Sequence, residues 1–299
     1  MEALSFEVEK LQLDMKRDLN RQLNGNGSGA LAYWTGADDT TPATVDDGQG
    51  NAFVHLPAGQ TMVCDLVDTD NSTLNGTAVP ILLGAKGANS YSVSWASGTI
   101  ASSGAGDYLV RSGTHGHELM GIAGIISASD PPLGDLQGID ATTYPFWQAQ
   151  AFLNGGTKRP IAFEDMQEVI DTIAANSDYG ESDVAFFLSN YPVRRAYYKL
   201  CIAERMHMNT MKFDGGFNAL SFNGINFFAD PQAKRNVLYY INPDTMKIFR
   251  TSDFDWMDKD GSYLSRTAGK DAYEATLFHY GNLACLTRNG NGLLADLVD

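Results

Sequence analysis

The sequence predicts an α+β protein that is organised around one long N-terminal helix and interrupted by an inserted all-β domain. Three observations support this prediction. The first 23 residues carry a helical apolar repeat, residues 35–112 contain short β-type runs between turn formers, and helix and strand patterns alternate from residue 160 onward. The chain has 299 residues, of which 43% are hydrophobic, so it is long enough for one large or two medium domains with real cores.

The composition excludes several classes of protein. A formal net charge of −15 argues against a protein whose main task is to bind nucleic acid phosphates. The cysteines Cys64, Cys201 and Cys285 lack metal or redox spacing, so we expect reduced thiols in a cytoplasmic setting. No apolar run approaches about eighteen residues, so we expect no membrane span. The charged N-terminus does not have the pattern of a signal peptide.

The first stretch predicts a helix over residues 2–23 that ends at Asn24-Gly25. One apolar stripe is formed by residues spaced three or four apart, namely Leu4, Val8, Leu11, Met15 and Leu19. Phe6 and Leu13 lie roughly opposite that stripe. Two interpretations stay open. In the first, the rest of the chain covers the helix on both sides, or Phe6 and Leu13 are simply two tolerated exposed residues. In the second, the helix packs on its own domain with one face and on something else with the other.

The inserted region covers residues 35–112 and contains only two basic residues, Lys86 and Arg111. Turn formers separate its β-type runs, which are Phe53–Leu56, Thr61–Val67, Val79–Leu83, Tyr91–Trp95 and Asp107–Val110. Strands at this spacing are typical of a small all-β sandwich or barrel of about 75 residues.

The rest of the chain reads as an irregular segment followed by an α/β body. Over residues 113–160 we expect a short strand at Gly121–Ile126, a rigid turn at Asp130–Gly134 and a strand over Tyr144–Phe152. The body is then predicted to contain a helix after Pro160, a strand at Val184–Leu188, a helix from Tyr191, a hairpin at Asn223-Gly224, a hairpin of Val237–Ile241 with Met246–Thr251, and one long β stretch at Ala272–Arg288.

Two motifs offer metal-ligand residue types, and each has a plainer interpretation. His115-Gly116-His117-Glu118 could present alternate histidines to zinc, but no second cluster follows at useful spacing, so surface loop histidines are favoured. The acidic residues Asp253, Asp255, Asp258 and Asp260 miss the spacing of a calcium loop, and a tight turn at Asp258–Gly261 is favoured.

Motifs for catalysis are also missing from the sequence. Gly25-x-Gly27-x-Gly29 follows a helix and has no lysine after it, so it is not a phosphate-binding loop. Neither a Gly-x-Ser-x-Gly elbow nor an HExxH motif occurs, and no pattern places two carboxylates across a cleft. We therefore expect no enzyme activity, no catalytic residues, no metal and no cofactor.

Three residues combine charge or aromatic area with positions that suit contacts. Arg194 and Arg195 on the second body helix fit either a solvated helix face or a rim of subunit contacts. Trp256, beside the acidic residues of the tight turn, is a large side chain that fits either a core or a contact.

Several short sequence motifs resemble those of tailed-phage major capsid proteins with the HK97 fold, and they occur in the same order along the chain. They are Asp18–Gly29, Asp130–Gly138, Val193–Tyr197, Asp214–Phe217 and Gly269–Thr276. The resemblance covers residues 1–34 and 113–299. It implies an HK97-like capsid fold with a long spine helix, peripheral and axial domains, and an inserted all-β domain on the outer surface.

The resemblance also divides the chain. Residues 1–34 would form the spine helix and the start of the peripheral domain, 35–112 the inserted β-domain, and 113–160 the return to the peripheral domain. Residues 161–250 would be mainly axial domain, with helices at 163–176 and 191–205 near the five- or six-fold axis. Residues 251–299 would return to the peripheral domain with its long C-terminal strand.

The function that the resemblance implies is that of a structural shell subunit. Hexamers and pentamers of the chain would form the icosahedral head of a phage virion around DNA, without sequence-specific binding or a membrane, and would assemble in the cytoplasm of the bacterial host. Decoration, portal or scaffold proteins are further expected partners. In the family the spine helix lies beneath elements of neighbouring subunits. Subunit contacts are accordingly expected at Phe6, Leu13, Arg194, Arg195 and Trp256.

Two alternatives stay open. The chain could form an encapsulin-like compartment, which shares the fold but encloses enzymes, or the inserted β-domain could act as a binding module for glycans or decoration proteins. The family normally has an N-terminal arm and an extended loop before the spine helix, whereas Met1 lies at that helix here. The sequence is therefore expected to be a processed or shortened form, and contacts or cross-links made by the arm or loop are not carried over.

Overall fold

The computed structural model describes residues 3–36, 42–46, 61–71, 74–86, 90–98, 100, 103–132, 134–179, 184–204, 211–212, 218–258 and 261–298. Within these ranges no helix is both long enough and apolar enough to cross a membrane. The expected strand Phe53–Leu56 lies outside the described residues, and so does the motif Asp214–Phe217.

The N-terminal helix α1 spans Ala3–Asn24, which confirms the predicted helix to within one residue at each end. Asp14 and Arg17 form an exposed ion pair of 3.7 Å along its side. After the helix, Gly27 and Gly29 have φ angles of +82° and +78°, a conformation that glycine adopts without steric cost. This glycine-rich turn ends α1 and leads directly into the first β-strand.

The next strands close into a six-stranded barrel with the order β1-β2-β5-β4-β3-β6. Its strands are β1 Ala32–Trp34, β2 Ala43–Asp46, β3 Thr61–Val67, β4 Leu74–Lys86, β5 Ser90–Trp95 and β6 Tyr108–Arg111. Four of the predicted β runs are confirmed, and the barrel alternative is the one observed. Strand β1 precedes the predicted insertion, which begins at residue 35. It nevertheless belongs to the barrel, because it pairs with both β2 and β6.

Residues 113–160 differ from the expectation at two places. Gly121–Ile126 contains a short helix, α2 at Ile122–Ile125, so the predicted strand is wrong. A run of four to six apolar residues has too few positions for its period to separate a buried strand from a buried helix. Tyr144–Phe152 holds a 3₁₀ turn at Pro145–Trp147 and only then the strand β7 at Gln150–Phe152.

The body contains a seven-stranded sheet with the order β7-β17-β12-β8-β11-β10-β9. The further strands are β8 Phe186–Ser189, β9 Met211–Lys212, β10 Asn218–Phe222, β11 Ile225–Ala229, β12 Leu238–Ile241 and β17 Gly292–Leu294. The hairpin at Asn223-Gly224 is confirmed by the pairing of Phe222 with Ile225. Parallel pairing of β8 with β11 and of β7 with β17 makes the sheet mixed.

Both body helices pack on the same face of this sheet. Helix α3 spans Phe163–Asn176 and helix α4 spans Tyr191–Ala203, and their buried residues share one core with Phe187 of β8. The neighbouring Leu188 points to the opposite face, where it packs with residues of α2 and of the 3₁₀ turns. The helices therefore form one layer of the body and the irregular segment forms the other.

The expected hairpin of Val237–Ile241 with Met246–Thr251 is wrong, because its two strands belong to different sheets. Strand β12 lies between β8 and β17, whereas β13 at Met246–Trp256 pairs with β16 at Leu277–Cys285. The turn residue Asn242 is fully buried and donates its backbone N–H to the side chain of Asn291, 3.0 Å away. This bond, next to β17, holds the end of β12 in the body while the chain turns away.

The long two-stranded element formed by β13 and β16 is called the ribbon below. The predicted continuous β stretch Ala272–Arg288 is divided, since β15 at Tyr273–Glu274 pairs with β14 at Ser265–Arg266 and β16 begins only at Leu277. A 3₁₀ turn at Arg288–Gly290 then returns the chain to the body sheet.

Candidate assembly surfaces

The first half of α1 is exposed on both of its apolar sides. Phe6 and Leu13 on one side are 43% and 47% exposed, and Leu11 on the other side is 45% exposed. From residue 5 to residue 14 only Val8 is half-buried. The interpretation in which its own chain covers both sides of α1 is therefore wrong for these described residues. Among the described residues, most of this half of the helix is therefore left uncovered on both apolar sides.

The second half of α1 is fixed to the body by a buried ion pair. The Arg21 guanidinium donates two hydrogen bonds to the Glu118 carboxylate at 2.9 and 2.5 Å, and both side chains are less than 10% exposed. Arg21 also contacts Asp18 at 3.1 Å, and Arg111 at the end of β6 lies 3.5 Å from the same carboxyl. The network joins helix, barrel and the segment after the barrel.

These charges shift the pKa of both partners on α1. Burial alone would raise the pKa of Asp18, but Arg21 and Arg111 outweigh burial and hold it below its ordinary value. Burial likewise opposes the charge on Arg21, whereas Glu118 and Asp18 raise its pKa. The ionised forms of this network are therefore the stable ones.

A close backbone approach at Gly121 fixes the end of α1 as well. A Cβ atom on Gly121 would lie 2.3 Å from the carbonyl oxygen of Gln22 and 2.5 Å from that of Leu23. No side chain fits at that distance, since the atoms it meets are backbone. The N–H of Gly124 donates to the carbonyl of Gly25 at 3.3 Å. The helix end thus rests directly on the backbone of the α2 segment.

The ribbon is the second surface that one chain leaves uncovered. Ile248 and Phe249 are both 58% exposed, and consecutive residues of a strand point to opposite faces. Tyr280 of β16 is 57% exposed and packs against Phe278 with ring centroids 5.2 Å apart. A two-stranded hairpin alone is marginally stable in water, so these apolar side chains indicate a surface for packing.

An open cleft of about 740 Å³ separates α1 from the ribbon. Met15 and Leu19 of α1 line one side, and Phe249 and His279 of the ribbon line the other. The His279 ring stacks on Phe254 at 4.8 Å. The long helix and the long strands thus face each other across the cleft, with the exposed half of α1 beyond it.

The sequence-predicted contact residues lie on three different elements. Phe6 and Leu13 are on α1, Arg194 and Arg195 are exposed on α4, and Trp256 is half-buried at the end of β13. The Arg194 guanidinium lies over the ring of its neighbour Tyr191, with 5.1 Å between the charge and the ring centroid.

Sequence reasoning missed the exposed ribbon side chains Ile248, Phe249 and Tyr280. A run with apolar side chains on both faces of a strand normally indicates a buried strand, so the pattern by itself could not place them on a surface. The length of the β stretch was the available signal, because the body sheet has short strands.

The motifs with metal-ligand residue types are occupied by protein contacts. Glu118 binds Arg21, as described above, and His115 lies 3.3 Å from the backbone oxygen of Asn71. Asp253 of the acidic run accepts a hydrogen bond from Arg250 at 3.2 Å. Lys259 and Asp260 of the expected tight turn lie outside the described residues.

A further group of carboxylates, which the sequence did not indicate, lies on the irregular layer of the body. Oxygen atoms of Asp130, Asp135 and Asp140 lie within 4.8 Å of one another. Asp130 accepts a hydrogen bond from the buried Arg288, and Asp140 accepts bonds from the residues of its own turn. Asp130 and Asp140 thus hold loop structure in place.

The thiols lack the environment of a nucleophile. Burial raises the pKa of Cys64 to about 12 and that of Cys285 to about 11. Cys201 is buried as well, in the core beneath α4. Because the thiolate is the reactive form of cysteine, the two raised pKa values keep these thiols inert at neutral pH.

No protein-family model and no curated protein matches this sequence. Among solved structures, the cyanophage A-1(L) capsid asymmetric unit matches with a TM-score of 0.40 and 13% identity, over 60% of this chain and 58% of that one. The holo-SrpI encapsulin complex from Synechococcus elongatus PCC 7942 matches with a TM-score of 0.36 and 16% identity, over 50% of this chain and 53% of that one.

The chain thus spans little more than half the length of these two neighbours. One of them is a capsid subunit assembly and the other an encapsulin complex.

Proposed function

We propose that this chain is a structural shell subunit that self-assembles into hexamers and pentamers of an icosahedral phage head enclosing DNA. The observation that carries the proposal is the exposure of large apolar side chains on both sides of α1 and on both faces of the ribbon. Exposed apolar side chains that are gathered on two long elements mark candidate sites of protein–protein contact. Copies of the same chain are the partners that a shell subunit meets most often.

The resemblance of the sequence to HK97-fold capsid proteins assigns each element to a domain in this proposal. Helix α1 is assigned as the spine helix, and the ribbon as the sheet of the peripheral domain. Helices α3 and α4 are assigned to the axial domain near the symmetry axes. The acidic balance of the chain supports a container wall, since such a wall encloses DNA without gripping its phosphates.

The direct test is electron microscopy of the purified protein together with light scattering for size. Closed shells, rings of five or six subunits, or sheets are the expected species. A strictly monomeric protein at high concentration, both alone and with an N-terminal arm and extended loop added, would contradict the proposal. The contents of closed particles separate a virion from an encapsulin-like compartment, because nuclease-resistant DNA indicates the first and a co-purifying enzyme the second.

The closed architecture of the barrel supports its assignment as an inserted domain. The barrel has its own core, and its first and last strands, β1 and β6, pair side by side. Entry and exit at neighbouring points are what an inserted domain requires. We therefore propose that residues 35–112, together with β1, form a domain inserted on the outer surface.

Replacing residues 32–110 with a short glycine-serine linker tests this assignment. Because Ala32 pairs with Leu109, the linker has to bridge only the gap between two adjacent strands. We expect the shortened chain to fold and to assemble as the full chain does. Loss of folding, measured by circular dichroism, would contradict the assignment of the barrel as an insertion.

Introducing charge at the exposed apolar side of α1 is expected to block assembly without unfolding the subunit. Phe6→Glu combined with Leu13→Glu should change the free energy of unfolding by less than about 1 kcal/mol, since both side chains are exposed. The concentration needed for assembly should rise at least about tenfold, because carboxylates would be desolvated at the contact. Chemical denaturation measures the change in the free energy of unfolding, and light scattering measures the concentration needed for assembly.

The matched control is Gln12→Glu, which adds a carboxylate at an exposed polar position of the same helix. It should assemble at concentrations close to those of the unmodified chain. Normal assembly of the double variant would show that this side of α1 faces solvent in the shell.

A further inference from the structure

The two body helices carry charges of opposite sign with no mixing. Helix α3 has four acidic residues and no basic one, and helix α4 has three basic residues and no acidic one. The whole chain has 36 acidic and 21 basic residues, so a helix whose charged residues are all basic is unexpected from the composition.

These charges lie on the outward faces of the helices. Met166, Val169, Ile170 and Ile173 of α3 are buried, and at about 100° per residue the opposite side carries Glu164, Glu168 and Asp171, all exposed. We call these three residues the acidic face. The fourth acid, Asp165, lies to one side and pairs with Arg159 at 3.6 Å.

The corresponding face of α4 is basic and also apolar. Its buried residues are Val193, Tyr197 and Cys201, and its exposed residues include Arg195 and Lys199, with Tyr198 at 45% and Ile202 at 56% exposure. We call the four exposed residues the basic face. A shallow groove of about 470 Å³ runs beside it, lined by Arg195, Lys199 and the apolar residues Ile161, Leu200 and Val298 among others.

We propose that the acidic face of α3 in one copy contacts the basic face of α4 in another copy. Arginine and aromatic residues are enriched at the centres of protein interfaces, which fits the basic face. Copies of a chain with a net charge of −15 repel one another on most approaches, and a basic patch facing an acidic one is the arrangement that turns repulsion into attraction. The inference rests on the proposed self-assembly and names the surfaces that carry it.

Each copy has one face of each sign on the same layer of the body. The contact can therefore be made with two different neighbours, which closes into a ring, or twice with one neighbour, which gives a two-fold pair. In both cases the two faces are complementary to each other and not to themselves.

Charge exchange tests the pairing. The basic-face variant carries Arg195→Glu and Lys199→Glu, and the acidic-face variant carries Glu164→Lys and Glu168→Lys. All four residues are exposed, so both variants are expected to keep the thermal midpoint of the unmodified chain. Each variant alone should need at least about tenfold more protein to associate in sedimentation velocity at low salt. Salt should weaken the association of the unmodified chain.

Two combinations should restore association. A single chain with all four substitutions has its charges exchanged and should associate as the unmodified chain does. An equimolar mixture of the two variants should associate as well, giving two-fold pairs or, around a ring, only even-numbered rings in the electron microscope. The matched control Asp244→Lys reverses an exposed acid in the turn before β13 and should change nothing.

The proposal is overturned if either single-face variant associates normally, or if both are defective and neither combination recovers association. These results are separable from the test of shell function. Shells that form normally despite reversed charges leave the proposed function standing and remove this contact. Rescued small oligomers from a chain that never closes a shell keep the contact and remove the shell.

Discussion

Replacing Arg288 with alanine is expected to lower the free energy of unfolding by about 3 kcal/mol, because it would leave the half-buried Asp130 carboxylate and several carbonyl groups without their partner. Arg288 is 1% exposed and uses all five of its N–H groups. It donates to the carbonyl oxygens of Ile125, Ser129 and Trp147, to the hydroxyl of Ser127 and to the carboxylate of Asp130, at 2.7 to 3.3 Å.

The side chain thus joins the end of α2, the turn after it and the 3₁₀ turn at Trp147 into one layer behind the body sheet. Arg288→Lys should be intermediate, since an ammonium group has three donors and cannot span the same acceptors. Chemical denaturation followed by tryptophan fluorescence measures the loss, with Trp147 beside the site. The exposed Arg266→Ala is the control, and a wild-type denaturation midpoint for Arg288→Ala would contradict the prediction.

Where local sequence patterns decide the structure, the fold could be predicted. The helix over α1, the strand β3 with its bounds Thr61–Val67, and the hairpin at Asn223-Gly224 all follow from periodicity and turn chemistry. Each of these elements is specified by residues that are neighbours along the chain.

Prediction failed where contacts between residues far apart in the sequence decide the structure. The turn at Asn242-Pro243-Asp244 has hairpin composition, yet β12 is buried on both sides by β8 and β17 and cannot pair with β13. Arg288 and Glu118 are charged residues that composition places at the surface. Only the fold brings their partners, from more than 90 residues away, to the same point.

The sequence indicated which kinds of residue make contacts, but not how those residues are arranged in the fold. Phe6 and Leu13 were identified because a helix with apolar residues on opposite sides is unusual for a monomer. The charge separation between α3 and α4 is equally visible in the sequence. Its meaning depends on the finding that both helices pack on the same face of one sheet.

Glu118→Gln is expected to destabilise the subunit by about 3 kcal/mol and to loosen the attachment of α1, since the buried Arg21 charge then keeps only Asp18, 3.1 Å away, as a counterion. The carboxylate receives two charge-assisted bonds in a water-excluded position, and such a pair is strong while intact and costly when one partner is removed. Removing both charges, by Arg21→Met with Glu118→Leu, should recover most of the lost stability, because no uncompensated charge then remains buried.

A double-mutant cycle of Arg21→Met, Glu118→Leu and the variant with both substitutions, in urea at pH 7, measures this coupling. The pH matters, because Asp18 also supports Arg21 and its pKa is lowered in the folded chain. Its contribution is complete above the ordinary carboxyl value of about 3.9 and is lost as the pH falls through the lower folded value. At pH 7 the cycle therefore reports Glu118 against a constant background. A coupling energy near zero between Arg21 and Glu118 would show that α1 is held mainly by its backbone contact at Gly121.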